Sequence, residues 1–151
     1  MEIRRLQETE HELLATAIQL LIPAEDRRNN VNRATHLQQA LADRTCYFIV
    51  CLLDALPVGY LSAYRFPDVE NADFHVYLFD IIVAEPCWRQ GIGAGMIEVL
   101  KQQCRADNVS RIWVGTAIDN QAAQRLYERT GAQKSETSVE YIYQLDAGAF
   151  V

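Results

Sequence analysis

The chain has 151 residues, half of them hydrophobic and 23% charged, a balance that excludes a disordered tail or a fibre. Its net charge of −6 repels a nucleic-acid backbone and mildly favours a cationic partner. The longest apolar run, Cys46 to Leu53, falls far short of the roughly 20 residues that span a bilayer.

In chain order, Glu2 to Leu6 reads as a short strand. Leu13, Leu14, Ala17, Ile18 and Leu21 recur at helical spacing, with Pro23 just beyond them. A polar loop, Ala24 to Asn32, precedes a shorter helix marked by Ala34, Leu37, Ala40 and Leu41. Thr45 to Leu53 and Val58 to Phe66 read as antiparallel strands, with Asp54-Ala55-Leu56-Pro57 as their hairpin loop. After an acidic loop, Pro67 to Asp73, the segment Phe74 to Ala84 reads as a strand apolar on both faces, as expected near a sheet's centre.

Ile92, Met96, Val99, Leu100 and Cys104 then form an apolar helical stripe, and Arg111 to Ala117 the next strand. Asn120 to Thr130 reads as a helix with Gly131 at its C-terminal end, and Val139 to Leu145 as a closing strand. This order embeds a strand, helix, strand crossover among antiparallel neighbours, so a mixed α/β sheet in a single domain is expected. Cys46, Cys51, Cys87 and Cys104 form no CxxC pair, and the three histidines lie at no metal-ligand spacing from them. Reduced, packed thiols are expected, with no metal. Met1 to Leu6 has no apolar signal core, so the expected compartment is the cytoplasm.

The informative turn is Glu85-Pro86-Cys87-Trp88-Arg89-Gln90-Gly91-Ile92-Gly93-Ala94-Gly95-Met96, three glycines opening into an amphipathic helix. Glycines admit close backbone approach, and a helix's first turn offers unpaired N–H groups with partial positive charge, which together suit a pyrophosphate. An ordinary strand-to-helix turn has the same look. A P-loop is excluded because no lysine stands in the turn, and a dinucleotide fingerprint because the glycine spacing is wrong.

Asp80-Ile81-Ile82-Val83, then Arg89-Gln90-Gly91-Ile92-Gly93, then Asn120 to Gly131 resemble, in order and spacing, the acetyl-CoA motifs of the GNAT superfamily of N-acetyltransferases. One departure is Trp88, at a position where the superfamily pattern carries Gln or Arg. The resemblance implies a mostly antiparallel central sheet with a splayed pair of parallel strands, flanked by helices. It implies acetyl-CoA as the donor, its pyrophosphate held by backbone N–H groups of Gln90, Gly91, Ile92, Gly93 and Ala94, with Arg89 assisting by charge. Its acetyl carbonyl and pantetheine arm would lie along the backbone of Ile81, Ile82 and Val83, where an N–H would also stabilise the developing oxyanion.

Tyr127 matches the family tyrosine that protonates the departing thiolate; by spacing alone it could equally be a core aromatic. Asn120 either caps its helix or contacts CoA, and the cap is the favoured reading. The acceptor is an amine that must lose a proton before attack. Asp80, the one formal charge in an apolar strand, is the expected base, or else an acid facing solvent or a structural arginine.

Within the superfamily, Val76 to Val83 followed by Arg89-Gln90-Gly91-Ile92 is most similar to the GNAT-type aminoglycoside 3-N-acetyltransferases. That resemblance implies a polycationic sugar bound by Asp80 and by acidic walls drawn from Asp68, Glu70, Asp73, Glu136 and Glu140, with Glu25 and Asp26 weaker candidates. A small-molecule amine is therefore the expected partner. A homodimer is compatible with the resemblance. Another acceptor amine, or a sensor that binds acetyl-CoA without turnover, are the alternative readings.

Overall fold

A computed structural model of the chain describes residues 1–27, 33–135 and 141–143. Strand β1 (Glu2–Arg5) leads into helix α1 (His11–Leu21), a 3-10 turn over Ala24–Asp26 and helix α2 (Arg33–Ala42). Strands β2 (Cys46–Leu53), β3 (Leu56–Asp68) and β4 (Asp73–Val83) follow, then helix α3 (Ile92–Ala106), strand β5 (Val109–Val114) and helix α4 (Gln121–Arg129). The expected closing strand, Val139 to Leu145, falls largely outside the described residues.

The five strands form one sheet in the order β1-β2-β3-β4-β5, antiparallel throughout except for the parallel pair β4 and β5. The expected mixed α/β sheet is therefore present. The loop between β2 and β3 is tighter than expected. Asp54 and Ala55 both take positive φ, 49° and 65°, as a two-residue turn of left-handed residues requires, so Leu56 and Pro57 already belong to β3.

Each face of the sheet has its own core. On one face α3 buries Ile92, Met96, Ile97, Leu100 and Cys104 against Tyr47, Ile49, Leu61, Val76 and Leu78. Helical spacing puts those five α3 side chains on one stripe, and Met96 and Leu100 are completely buried. On the other face α1 and α2 bring Leu14, Ala17 and Leu37 over Phe48, Val50, Leu52 and Tyr60. Among the described residues the buried cluster of this second cover draws on β2 and β3 and includes no residue of β4 or β5.

That shortfall corrects one expectation. β4 is not buried on both faces: Val76 and Leu78 are buried against α3, whereas Phe74, Tyr77 and Phe79 on the same strand are exposed.

Candidate active site

The parallel ladder between β4 and β5 ends early. Its last rung pairs Leu78 with Val114, while β4 runs on to Val83 hydrogen-bonded to β3 alone. Among the described residues, the β5-facing backbone of Phe79 to Val83 thus has no ladder partner. Unpaired N–H and C=O groups along a strand need partners from water or a ligand. Ile81 and Val83 send their side chains into the α3-side core, which fixes the strand while its edge stays open.

The open edge leads to the N-terminus of α3. Gly91 is the residue before the helix, with φ 81°, a left-handed value that an L side chain adopts only at a cost, and a Cβ there would meet nothing within 4 Å. No side chain caps the helix, so the N–H groups of its first turn, at Ile92, Gly93 and Ala94, point outward without a side-chain acceptor. A 15-residue helix presenting those donors suits an anion.

The other two glycines serve packing. A Cβ on Gly93 would lie 3.1 Å from Leu126 of α4, and one on Gly95 2.6 Å from Ile3 of β1. Of the three glycines that suggested a cradle, only Gly91 keeps open space above it.

Arg89 takes φ 60° and is exposed, with no hydrogen bond or ion pair among the described residues. Gln90 is exposed too, its Nε2 donating to the carbonyl of Pro86 at 3.3 Å. Trp88, the departure from the family pattern, has a structural role that spacing alone did not reveal. Its indole Nε1–H donates to the carbonyl of Val83 at 2.6 Å, tying the turn back to the end of β4.

Asp80 is half-buried and makes no hydrogen bond or ion pair among the described residues. Burial raises its pKa above the ordinary carboxylate value, and the nearby charge of Asp26, from the 3-10 turn after α1, pushes the same way. Among the described residues no arginine pairs with Asp80. Tyr127 lies on α4, partly buried against the α3-side core. Burial raises its pKa, and the proximity of Tyr77 and Asp80 adds to that, so the phenol holds its proton at neutral pH.

A cavity of about 300 Å³ extends beneath β5, lined by Leu78, Ile97, Lys101, Val114, Tyr127 and Thr130 among others. It adjoins Tyr127 and the last rung of the ladder, but none of the residues from Arg89 to Ala94 lines it.

Asn120 is the N-cap of α4, its Oδ1 accepting from the N–H of Ala123 at 3.1 Å, as its favoured reading held. Three acids of the expected wall lie away from Asp80. Asp68 and Asp73 pair across the far end of the β3–β4 hairpin, flanking His75, and Asp73 also accepts from the Ser110 hydroxyl. Seven residues along β4 put that end on the order of 20 Å from Asp80. Glu70 is exposed in the same distant turn, and Glu136 and Glu140 lie outside the described residues. Asp26 is the predicted acid that does approach Asp80.

All four cysteines are free thiols, Cys51 and Cys104 buried. Among the described residues no cluster of metal-ligating side chains is present and no helix is long and apolar enough to cross a membrane.

With this geometry the relatives of the chain agree. It is 31% identical over 68 residues to a chloroplastic GCN5-related N-acetyltransferase of Arabidopsis thaliana and 28% over 99 residues to a probable N-acetyltransferase, camello, of Xenopus laevis. Those alignments span 45% and 66% of this chain but only 24% and 43% of the relatives' own lengths. Among solved structures, an aminoglycoside acetyltransferase from an uncultured soil metagenomic sample, in complex with trehalose, superposes with a TM-score of 0.86 at 25% identity, covering 96% of each chain. The structure of that aminoglycoside acetyltransferase with sisomicin gives a TM-score of 0.82 at 23% identity, again over 96% of each chain. The acetyltransferase (GNAT) family model matches residues 8–132, and the chain belongs to that family.

Proposed function

We propose that the protein is an acetyl-CoA-dependent N-acetyltransferase whose acceptor is an amine of an aminoglycoside, the 3-N amine by resemblance. The observation that carries the transfer reading is the open edge of β4 beyond the Leu78–Val114 rung, leading directly to the uncapped N-terminus of α3. Family membership supports acetyl-CoA as the donor, and the chain's residues fit it: outward N–H groups at Ile92, Gly93 and Ala94 for the pyrophosphate, with Gly91 leaving room for its approach. Arg89 and Gln90, exposed on the rim, add a cation and an amide to that anion site. The backbone of Ile81, Ile82 and Val83 lines the gap in which the pantetheine arm would run, and an N–H there would polarise the acetyl carbonyl. Acetyl-CoA supplies the activated thioester when bound.

The remaining chemistry belongs to side chains. Asp80, which has no cation partner among the described residues, takes as a carboxylate a proton from the acceptor ammonium, directly or through a water, so that the nitrogen lone pair is free to attack. Tyr127 keeps its proton until sulfur needs it, then donates it to the leaving thiolate and recovers one from solvent. These roles make a pure acetyl-CoA sensor the weaker reading, since binding alone requires neither group.

The aminoglycoside acceptor is supported by the solved aminoglycoside acetyltransferase, by the net charge of −6 and by two carboxylates, Asp80 and Asp26, close enough to repel one another and without an ion pair among the described residues. The free thiols fit the cytoplasm. The deciding experiment is thiol release from acetyl-CoA against aminoglycosides, polyamines and peptides. Turnover of aminoglycosides is expected. Turnover of a peptide with none of any aminoglycoside would move the acceptor to a protein N-terminus, and no thiol release with any amine would sink the transfer reading.

A further inference from the structure

The sheet face beyond the α1 and α2 cover carries aromatic rings in the open. Phe79 is 62% exposed, and Tyr64 and Tyr77, both still more than a third exposed, meet it edge to face at centroid distances of 5.9 and 6.4 Å. Phe48, from the buried cluster beneath α1, holds Tyr64 from behind at 6.3 Å. A contiguous apolar patch left in water at an enzyme's surface calls for an occupant.

Its position follows from a break in register. Ser62 pairs with Asp80 and Ala63 with Leu78, so Phe79 has no opposite residue on β3. Such a bulge re-aims the side chains after it. Leu78 and Ile81 enter the α3-side core, while Phe79 is exposed and Asp80 lies near Tyr60 and Tyr64 of the opposite face. The irregularity thus sets a ring directly beside the carboxylate.

We infer that Phe79, with Tyr64 and Tyr77, is the wall against which the ring of an acceptor carrying at least two ammonium groups packs, one amine at Asp80 and a second toward Asp26. The inference rests on the acetyl-transfer reading and adds the acceptor's shape to it. Charge complementarity selects the occupant. Asp80 and Asp26 have no ion pair among the described residues, one ammonium can neutralise only one of them, and the faces of Phe79 and its neighbours attract cations and the C–H edges of saturated rings. A peptide whose only cation is its N-terminal amine would leave the second carboxylate without a partner.

The test compares Phe79→Ala, Phe79→Leu and Phe79→Tyr with the wild type, using sisomicin, spermidine and an alanine-led peptide as acceptors. Phe79→Ala and Phe79→Leu should raise KM for sisomicin at least about fivefold with kcat nearly kept. Phe79→Tyr, which keeps the ring, should restore it, and KM for acetyl-CoA should stay unchanged in all three. The leucine variant preserves the apolar surface, so a folding defect confined to alanine leaves the comparison intact. An unchanged sisomicin KM in Phe79→Leu would overturn the inference, as would a dimer in light scattering that Phe79→Ala dissolves without altering that KM. If the wild type releases no thiol with any amine, transfer fails on its own account, and a calorimetric titration of sisomicin decides the wall: binding lost in Phe79→Leu upholds it, and no binding to the wild type overturns it.

Discussion

The two sides of β4 offer a ligand different materials. Toward α3 and β5 the available groups are backbone ones, the unpaired edge after Leu78 and the first turn after Gly91. Toward the face that α1 and α2 leave open they are side chains: Asp80, Phe79, Tyr77 and Tyr64. A site made of backbone tolerates many side chains and is written in glycine positions and strand length. A site made of side chains changes with each substitution. The first suits a donor shared across a family, and the second an acceptor peculiar to one member.

Substitutions can break this contrast, and the largest effect should come where the two sides meet. Tyr127→Phe should lower kcat about 10²-fold while leaving acetyl-CoA affinity within error by calorimetry. An unchanged rate would remove Tyr127 from its acid role. Asp80→Asn should cost about 10-fold or more in kcat/KM near neutral pH, the loss shrinking as pH approaches the acceptor amine's own pKa and the need for a base disappears. A loss equal at every pH would make Asp80 a group that only positions the acceptor.

The same variant has a stability signature of opposite sign. Because the Asp80 pKa is raised on folding, its protonation favours the native state below the ordinary carboxylate pKa, and that advantage is lost as pH rises through the folded value. Asp80→Asn should therefore raise the melting temperature at pH 7 and gain nothing near pH 3.

Smaller effects sharpen the backbone side. Gly91→Ala forces an L side chain into φ 81° and should cost about 1 kcal/mol in denaturant unfolding, with weaker acetyl-CoA binding. Equal binding would show that the turn's conformation matters less than its open space. Asn120→Ala removes the cap of α4 and should cost about 1 kcal/mol of stability. If it weakened acetyl-CoA binding without that stability loss, Asn120 would be a ligand contact after all.

Much of the backbone side was legible in the residues themselves. The apolar stripe from Ile92 to Cys104, the strand before it and Gly91 pointed to the helix start proposed as the anion site, because periodicity and a required left-handed residue are local properties. The reasons for Gly93 and Gly95 were not local. Only the tertiary packing of Leu126 and Ile3 shows that these two glycines clear space for neighbours rather than for a ligand.

The side-chain half was read less well for the same reason. Strand register decides which acids share a face, and proximity along the chain does not. Asp68 and Asp73 fall at the far end of their hairpin, while Asp26, distant in sequence, approaches Asp80. Phe79 looked like another apolar strand residue, and Trp88 only like a departure from a pattern. Neither the bulge nor the indole's bond to Val83 has a signature in a single sequence.

The bulge carries a consequence for how this strand can vary. Before it, the residues facing α3 are even-numbered, Val76 and Leu78; after it they are odd-numbered, Ile81 and Val83. β4 therefore counts in two frames. Deleting Phe79 would merge the frames and return a uniform ladder, yet every side chain from Asp80 onward would keep its face only because the lost residue was the supernumerary one. Deleting Leu78 or Asp80 instead would leave a core position or the proposed base's position filled by the wrong neighbour. Around the bulge, a one-residue deletion is thus absorbed best at Phe79, and point substitution is the easier route by which the proposed acceptor face can diverge.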